Sequence, residues 1–391
     1  MHLLQSSSYL KRLCLWQIAV WSSGYFIATQ RHRPPGLSRL ALATSLAILN
    51  FILPLLFDGH DDAMTSIIVI MTTACLSNIK LLSWAMNRGP LAETWLTRMQ
   101  CAAVYALTVI PAKERNFAEK NFLNPVPAET RSGLLIIKII GLCIAVPAYA
   151  LCIDRLPHFP SALLQGVCQY LSMSFFMDAA SLLLWYFLKL PTAANFRFPY
   201  ASTSPADFWN RRWNLPVSQA MRALIYDPFL EGRLIKPFEK EKAPSSSLSR
   251  NSNSNHNTKL LRRVIGVLLV FSVSGIVHEI MYWYVTGHTT RSALWLWYFI
   301  FSGLIVVVEG AVKQPLRRAG VQIPTWIQWI VTQFMFQKLM ETMWWVPAEE
   351  ADFPNIIMQH VKEGCIALDQ LGEDFVGFFN YAVFKLQEAK Y

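Results

Sequence analysis

Long apolar runs separated by short polar breaks set the rhythm of this chain. Leu37 to Phe57, Met64 to Trp84, Leu134 to Cys152, Leu163 to Leu190, Val264 to Val285, Leu294 to Val312 and Pro324 to Trp345 each approach or exceed the roughly 20 residues a helix needs to cross a bilayer. In hydrocarbon the backbone must satisfy its own hydrogen bonds, so recurring runs of this length predict an all-α, polytopic transmembrane bundle. An eighth run, Tyr9 to Ala28, is weaker. It either crosses or lies in the interface with Trp16, Trp21 and Tyr25 at headgroup level. Seven to eight spans follow. Met99 to Ile110 is only about 12 residues, too short to cross, and predicts an interfacial helix. Leu163 to Leu190 is long enough that it must tilt or emerge.

The polar breaks carry an alternating charge. Arg31, His32 and Arg33 form a basic turn, Asp58 to Asp62 an acidic loop, and Arg88 to Arg131 a second basic region. Lys313, Arg317 and Arg318 mark a further basic turn. Under the positive-inside rule the basic breaks are cytoplasmic and the acidic ones lumenal. Lys11 and Arg12 precede an apolar run without a small-residue cleavage pattern, so no cleavable signal is predicted. Lys138 is near enough to a span end to snorkel. The longest polar segment, 191–263, ends in a Ser/Asn-rich stretch, 243–258, which cannot build a packed core and is expected to be disordered.

Composition agrees with the pattern. The chain is 53% hydrophobic and 15% charged, against about 45–50% apolar and about 25% charged for soluble domains. The net charge of +10 is accounted for by the basic loops, which argues against a nucleic-acid partner. Seven cysteines, mostly inside apolar runs, show neither metal-ligand spacing nor a disulfide framework. No metal site is expected.

Against this background the ionisable groups inside the runs are the first candidates for chemistry, because each costs several kcal/mol unless it faces a partner or a polar cavity. They are His278 and Glu279 in the Val264 to Val285 run, Asp178, and Glu309 near the end of its run. A second constellation lies in the long basic segment. It reads Ser204-Pro-Ala-Asp-Phe-Trp-Asn-Arg-Arg-Trp-Asn214, then Arg222 and Tyr226-Asp-Pro. Ser204 and Pro205 suit a helix start, with Asp207 in the first turn. At helical spacing Trp209 and Trp213 share one face, and Asn210 and Asn214 the next. Such a surface suits either a polyanionic ligand or simple headgroup anchoring; the residue types are the same.

Asp207-Phe-Trp-Asn-Arg-Arg-Trp-Asn214, with Arg222 and Tyr226-Asp-Pro, followed by Ser274-Gly-Ile-Val-His-Glu279 on an apolar helix, resembles the membrane-bound O-acyltransferases. The likeness is to the wax-synthase-like branch, which includes fungal acetyltransferases of terpenoid and meroterpenoid pathways. The stretch from Trp84 to Asn87-Arg88-Gly89-Pro90 also resembles a feature of that branch, although Pro90 stands where Ile or Leu is usual. The resemblance implies a catalytic core over 134–345, with N-terminal spans and the interfacial helix before it (1–133) and a tail after it (346–391). It implies His278 and Asn214 as catalytic residues, an acyl-CoA co-substrate with no permanently bound cofactor, and an endoplasmic-reticulum membrane location.

The chemistry fits those residue types. Acyl transfer to an alcohol needs a base, and neutral imidazole suits the working pH. Among the histidines only His278 sits deep in a run. Asn214 offers an amide to the thioester oxygen or the acceptor hydroxyl. Arg211, Arg212 and Arg222, with Trp213 beside them, are the candidates for holding the phosphates of coenzyme A. Glu279 reads as a helix-packing group or as one that supports the site from behind, because adjacent helical residues point about 100° apart. The expected reaction is direct attack on acyl-CoA by an apolar alcohol arriving from the bilayer lipids. An acetyl donor and a terpenoid-type hydroxyl are expected from the branch. Two other readings remain open: long-chain wax or sterol ester synthesis, and a transporter using His278, Asp178 and Glu309 as a proton relay.

Overall fold

The computed structural model describes residues 2–59, 61–113, 124–152, 155–237 and 256–360, with 363 and 370. The Ser/Asn-rich stretch up to residue 255, His60 and nearly all of the tail beyond 360 lie outside the described residues.

The polar breaks gather at two ends of a helical bundle. α1 (His2–Thr29) starts at the acidic end, where Tyr9 bonds Thr65 at 2.7 Å and Arg12 pairs with Asp62 at 3.1 Å. It finishes at the basic end, where the Arg31 guanidinium donates to the Leu96 carbonyl at 2.6 Å. The weakest apolar run therefore traverses the bundle instead of lying across one end. α2 (Leu37–Ile52) returns, and α3 (Ala63–Ala85) crosses again with a π-helical stretch, Ile70–Ser77, at its middle. After the short α4 (Arg98–Ala106) come the antiparallel pair α5 (Ala128–Cys152) and α6 (His158–Leu188). A loop region carries the short α7 (Leu215–Met221). Then follow α8 (His256–Thr286), α9 (Leu294–Arg318), α10 (Thr325–Leu339) and α11 (Trp345–Glu350). Six described helices are long and apolar enough to span a membrane; α1 and α10 are not among them. The fold is an all-helical, multi-pass membrane bundle, as the hydropathy predicts.

Two local readings are corrected. The helix expected at the interface, Met99 to Ile110, is α4, and it is buried: Cys101 to Ala106 are at most 5% exposed. It packs so tightly on α1 that a Cβ added to Gly24 would sit 2.7 Å from the Ala102 Cα. Its C-terminal carbonyls have no helical partners, and an orphaned carbonyl is not tolerated in hydrocarbon. Lys80, itself 2% exposed, answers them by donating to the Val104 and Leu107 carbonyls at 2.6 Å each, while Ser77 donates to the Tyr105 carbonyl at 2.8 Å. A cation at the negative end of the helix is also favoured by the macrodipole. The Tyr105 hydroxyl continues the polar thread to Asn50, and Asn50 to Asn78. Short apolar helices surrounded by protein in this way give no signal that separates them from interfacial ones.

Lys138 does not snorkel. It is buried and pairs with Asp178, which also holds Arg131 at 2.8 Å and accepts from the Asn195 side chain at 2.8 Å. Arg131 adds bonds to the Thr192 and Ala193 carbonyls. Asp178 therefore clamps α5 to α6 and both to the 190–195 strap. Asp178→Ala is expected to cost about 3–5 kcal/mol of stability, because two buried cations lose their counter-charge. The thermal midpoint of the purified protein in detergent reads this; an unchanged midpoint contradicts it.

Candidate functional site

Between α3, α5, α6, α8, α9 and the loop carrying α7 lies one large cavity of about 1540 Å³, with a predominantly apolar wall. All four π-helical stretches among the described residues, Ile70–Ser77, Phe208–Arg212, Arg222–Tyr226 and Met340–Trp344, contribute to that wall. A π turn widens the helix and splays side chains that an α turn would stack, and such turns recur at functional sites.

His278 reaches the cavity from α8. Its Nδ1 lies 2.7 Å from the Ser274 carbonyl one turn earlier. A carbonyl only accepts, so Nδ1 carries the proton and, in the neutral ring, Nε2 holds the lone pair. The ring stacks on Phe299 at 4.3 Å between centroids and meets the Trp344 ring edge-on at 5.5 Å. Gly275 brings α8 and α9 together here: a Cβ would stand 2.9 Å from the Leu296 Cα, so no side chain fits.

Glu279 points elsewhere. Its carboxylate accepts from the Thr290 N–H at 2.9 Å, the Thr290 hydroxyl at 2.6 Å and the Leu296 N–H at 3.1 Å. It caps the start of α9, supplying acceptors to N–H groups that a helix start leaves unmet. It is the helix-packing group that its position next to His278 suggests.

Asn214 borders the same cavity from the loop before α7. Ser204 accepts the Asp207 N–H at 3.1 Å and Pro205 opens the first turn, as predicted. The helical face expected for Trp209, Trp213, Asn210 and Asn214 does not form. The chain widens into the π turn Phe208–Arg212, then leaves helix altogether at Trp213. Asn214 is left-handed, with φ 37°, a conformation that asparagine tolerates better than most residues. Leu215 then donates to the Asn195 carbonyl at 2.9 Å and α7 begins. The result is an asparagine only 8% exposed, whose Oδ1 has no hydrogen-bond partner among the described residues and whose side chain borders the cavity. Trp209 presents an equally unpartnered Nε1 donor in the same wall.

The basic candidates separate. Arg211 and Arg222 are exposed side chains at the cavity edge, Arg222 lying over the Tyr226 ring and pairing with Asp227 at 3.0 Å. Arg212 does not border the cavity. It pairs with Asp207 at 2.6 Å and donates to the Arg197 carbonyl, fastening the loop. Trp213 lines the cavity and stacks on Phe208 at 5.4 Å. Two charged groups at this edge were not singled out for it by the sequence: Lys313, and Glu309 in a bonding role. Glu309 accepts the Ala206 N–H at 2.9 Å and pairs with Lys313 at 2.8 Å. The aromatic wall of Phe271, Trp295, Phe299 and Trp344 also went unremarked, since aromatics in a span read as ordinary packing.

The relay reading links His278, Asp178 and Glu309. Asp178 is consumed by Arg131, Lys138 and Asn195, and Glu309 by Lys313 and a backbone N–H. Neither bonds the imidazole among the described residues, and Asp178 does not border the cavity that His278 lines.

The tautomer is directly checkable. Nitrogen-15 spectra of the histidine-labelled protein are expected to show His278 with its proton on Nδ1; a proton on Nε2 would contradict the geometry.

Comparison with known proteins bears on the same elements. The profile described as "Membrane bound O-acyl transferase family" matches residues 192–302, which contain both Asn214 and His278. The chain is 26% identical over 357 residues to the acyl-CoA–sterol O-acyltransferase 1 of Arabidopsis thaliana, covering 89% of this chain and 92% of that protein. It is 30% identical over 286 residues to the long-chain-alcohol O-fatty-acyltransferase of Simmondsia chinensis, covering 71% and 72%. The probable long-chain-alcohol O-fatty-acyltransferase 9 of Arabidopsis thaliana is 28% identical over 77% of this chain and 80% of its own. The chain belongs to the membrane bound O-acyl transferase family, as a multi-pass membrane O-acyltransferase that draws on acyl-CoA.

Proposed function

We propose that this enzyme acylates the hydroxyl of a bulky, lipid-soluble polycyclic alcohol of terpenoid or meroterpenoid type, with acetyl-CoA as donor, in the endoplasmic-reticulum membrane. The observation that carries the reading is that two polar side chains border one largely apolar cavity of about 1540 Å³. They are His278, whose Nδ1 bonds Ser274 and leaves the Nε2 lone pair for the acceptor, and Asn214, whose Oδ1 has no partner among the described residues. Its wide aromatic wall suits flat, rigid rings. The acetyl donor rests on the likeness of the Asp207 to Asn214 and Ser274 to Glu279 blocks to the terpenoid-acetylating branch.

The geometry supports the following steps. Acyl-CoA enters at the basic end, with Arg211 and Arg222 meeting its phosphates as guanidinium forks suit phosphate oxygens. Trp213 flanks that entrance, while Arg212 keeps the loop in shape. The acceptor arrives from the lipid side. His278 Nε2 takes the hydroxyl proton as the oxygen attacks the thioester carbon, and the Asn214 amide donates to the carbonyl oxygen as charge builds there. The C–S bond then breaks, and the imidazolium returns its proton to the departing sulfur. No covalent enzyme intermediate is needed. Ser274 holds the ring in the tautomer that this requires.

A second reading, long-chain wax or sterol ester formation, is favoured by two observations. The cavity exceeds the roughly 300–1,000 Å³ of ordinary small-ligand pockets, and relatives are named for long-chain alcohols and sterols.

Labelled acetyl-CoA and palmitoyl-CoA, each offered with a terpenoid alcohol, a sterol and a linear long-chain alcohol in membranes, separate the two by product mass. Acetylated terpenoid is the expected main product; predominance of palmitoyl esters would select the second reading. His278→Ala is expected to lower turnover by about 10²–10⁴-fold, and Asn214→Ala by about 10²–10³-fold, with the folded protein retained. Wild-type rates from His278→Ala would refute the mechanism. Arg211→Ala and Arg222→Ala should raise KM for acyl-CoA more than they change kcat. Glu279→Gln should stay within about threefold of wild-type turnover, far from the loss expected for a group in the proton path, while lowering thermal stability.

A further inference from the structure

Two more unpartnered polar atoms lie in the cavity wall, away from Asn214 and Trp209. Gln165 on α6 is 6% exposed and Trp345 at the start of α11 is 9% exposed. The Gln165 amide is oriented by its neighbours: Nε2 lies 3.3 Å from a Glu349 carboxylate oxygen, which only accepts, and 3.4 Å from the Tyr149 hydroxyl. Oε1 is therefore the end left over, an enclosed acceptor without a donor among the described residues. The Trp345 Nε1 is an enclosed donor without an acceptor among the same residues. The two belong to one contact region. Ala162, one turn before Gln165, packs in the same cluster as Trp345 and Ala348, and Glu349 follows on α11. This region adjoins the catalytic ring, since Trp344, next in the chain to Trp345, stands 5.5 Å from His278.

An enclosed acceptor and an enclosed donor in one contact region of a largely apolar wall match a ligand group that both gives and takes a hydrogen bond. Leaving such atoms unmet in the bound state is costly, so a ligand that pairs them is selected over one that does not. The Glu349 carboxylate next to Gln165 disfavours an anion. A carbonyl would satisfy only Trp345. A neutral hydroxyl satisfies both.

We propose that Gln165 and Trp345 form a second polar subsite that binds a further hydroxyl of the acceptor, so that the preferred substrate is a diol or polyol acylated at one position. The inference rests on the reading of the cavity as the acceptor site. It makes Gln165 and Trp345 specificity-determining groups that touch the acceptor without taking part in the chemistry.

The test uses the full-length protein in lipid nanodiscs with a set of steroids. Each carries one common hydroxyl, and all but the reference carry a second at graded distances along the ring system. Binding is read by competition, separately from turnover. The wild-type protein is expected to hold at least one diol about tenfold more tightly than the mono-alcohol, the effect of one well-made hydrogen bond. Gln165→Met and Trp345→Phe, checked for unchanged thermal midpoints, are each expected to reduce that preference to within about twofold. If no diol is preferred by the wild-type protein, the subsite is overturned whatever the variants do. It is also overturned if both folded variants keep the full preference, the outcome expected when the two atoms meet only water. His278→Ala is expected to keep the diol preference while losing ester formation. Diol preference without any acyl transfer by the wild-type protein would sink the enzymatic reading and leave the subsite standing. Ester formation without diol preference would do the reverse.

Discussion

A buried carboxylate ties two long helices and the strap that follows them into one unit. Asp178 sits within a transmembrane helix, 4% exposed, between Arg131 and Lys138. Burying ions is expensive, and the cost is met only where geometry and extra hydrogen bonds satisfy the remaining valences. Here they do: Arg131 spends its other donors on the Thr192 and Ala193 carbonyls, and Asp178 also takes the Asn195 amide. The Asn195 carbonyl in turn accepts the Leu215 N–H, the first backbone donor after Asn214. The left-handed turn that turns Asn214 toward the cavity is thus tied, through two hydrogen bonds, to an ion cluster inside the bundle.

The same logic explains how irregular backbone persists at membrane depth. The buried α4 ends inside protein, and Lys80 and Ser77 reach across to its carbonyls. Polar groups there bond to one another, so no water is required and none of the wall is exposed to lipid for lack of a partner. The π-helical stretches do the complementary work on the cavity side. They keep the helices continuous while opening room between them.

At the site itself the division of labour between neighbours is sharp. His278 and Glu279 are adjacent, yet one faces the cavity and the other caps α9 through three hydrogen bonds. The imidazole is oriented by a backbone carbonyl, not by a carboxylate. The Phe299 and Trp344 rings pack against it.

Hydropathy alone determined the fold class, because hydrocarbon admits only helices here and a run's length states whether it can cross. Two residue blocks also pointed to acyl transfer, through their resemblance to the membrane-bound O-acyltransferases; their residue types alone suit headgroup anchoring and helix packing as well. Periodicity could not reveal that Phe208 to Arg212 is wound as a π turn, that Arg212 fastens a loop while Arg211 edges the cavity, or that Lys138 and Asp178 neutralise each other. Nor could it distinguish a short apolar helix on the membrane surface from α4 buried at the centre. Those outcomes depend on which groups from distant parts of the chain meet, and pairing of that kind is set by packing in three dimensions, where spacing along the chain carries no record of it.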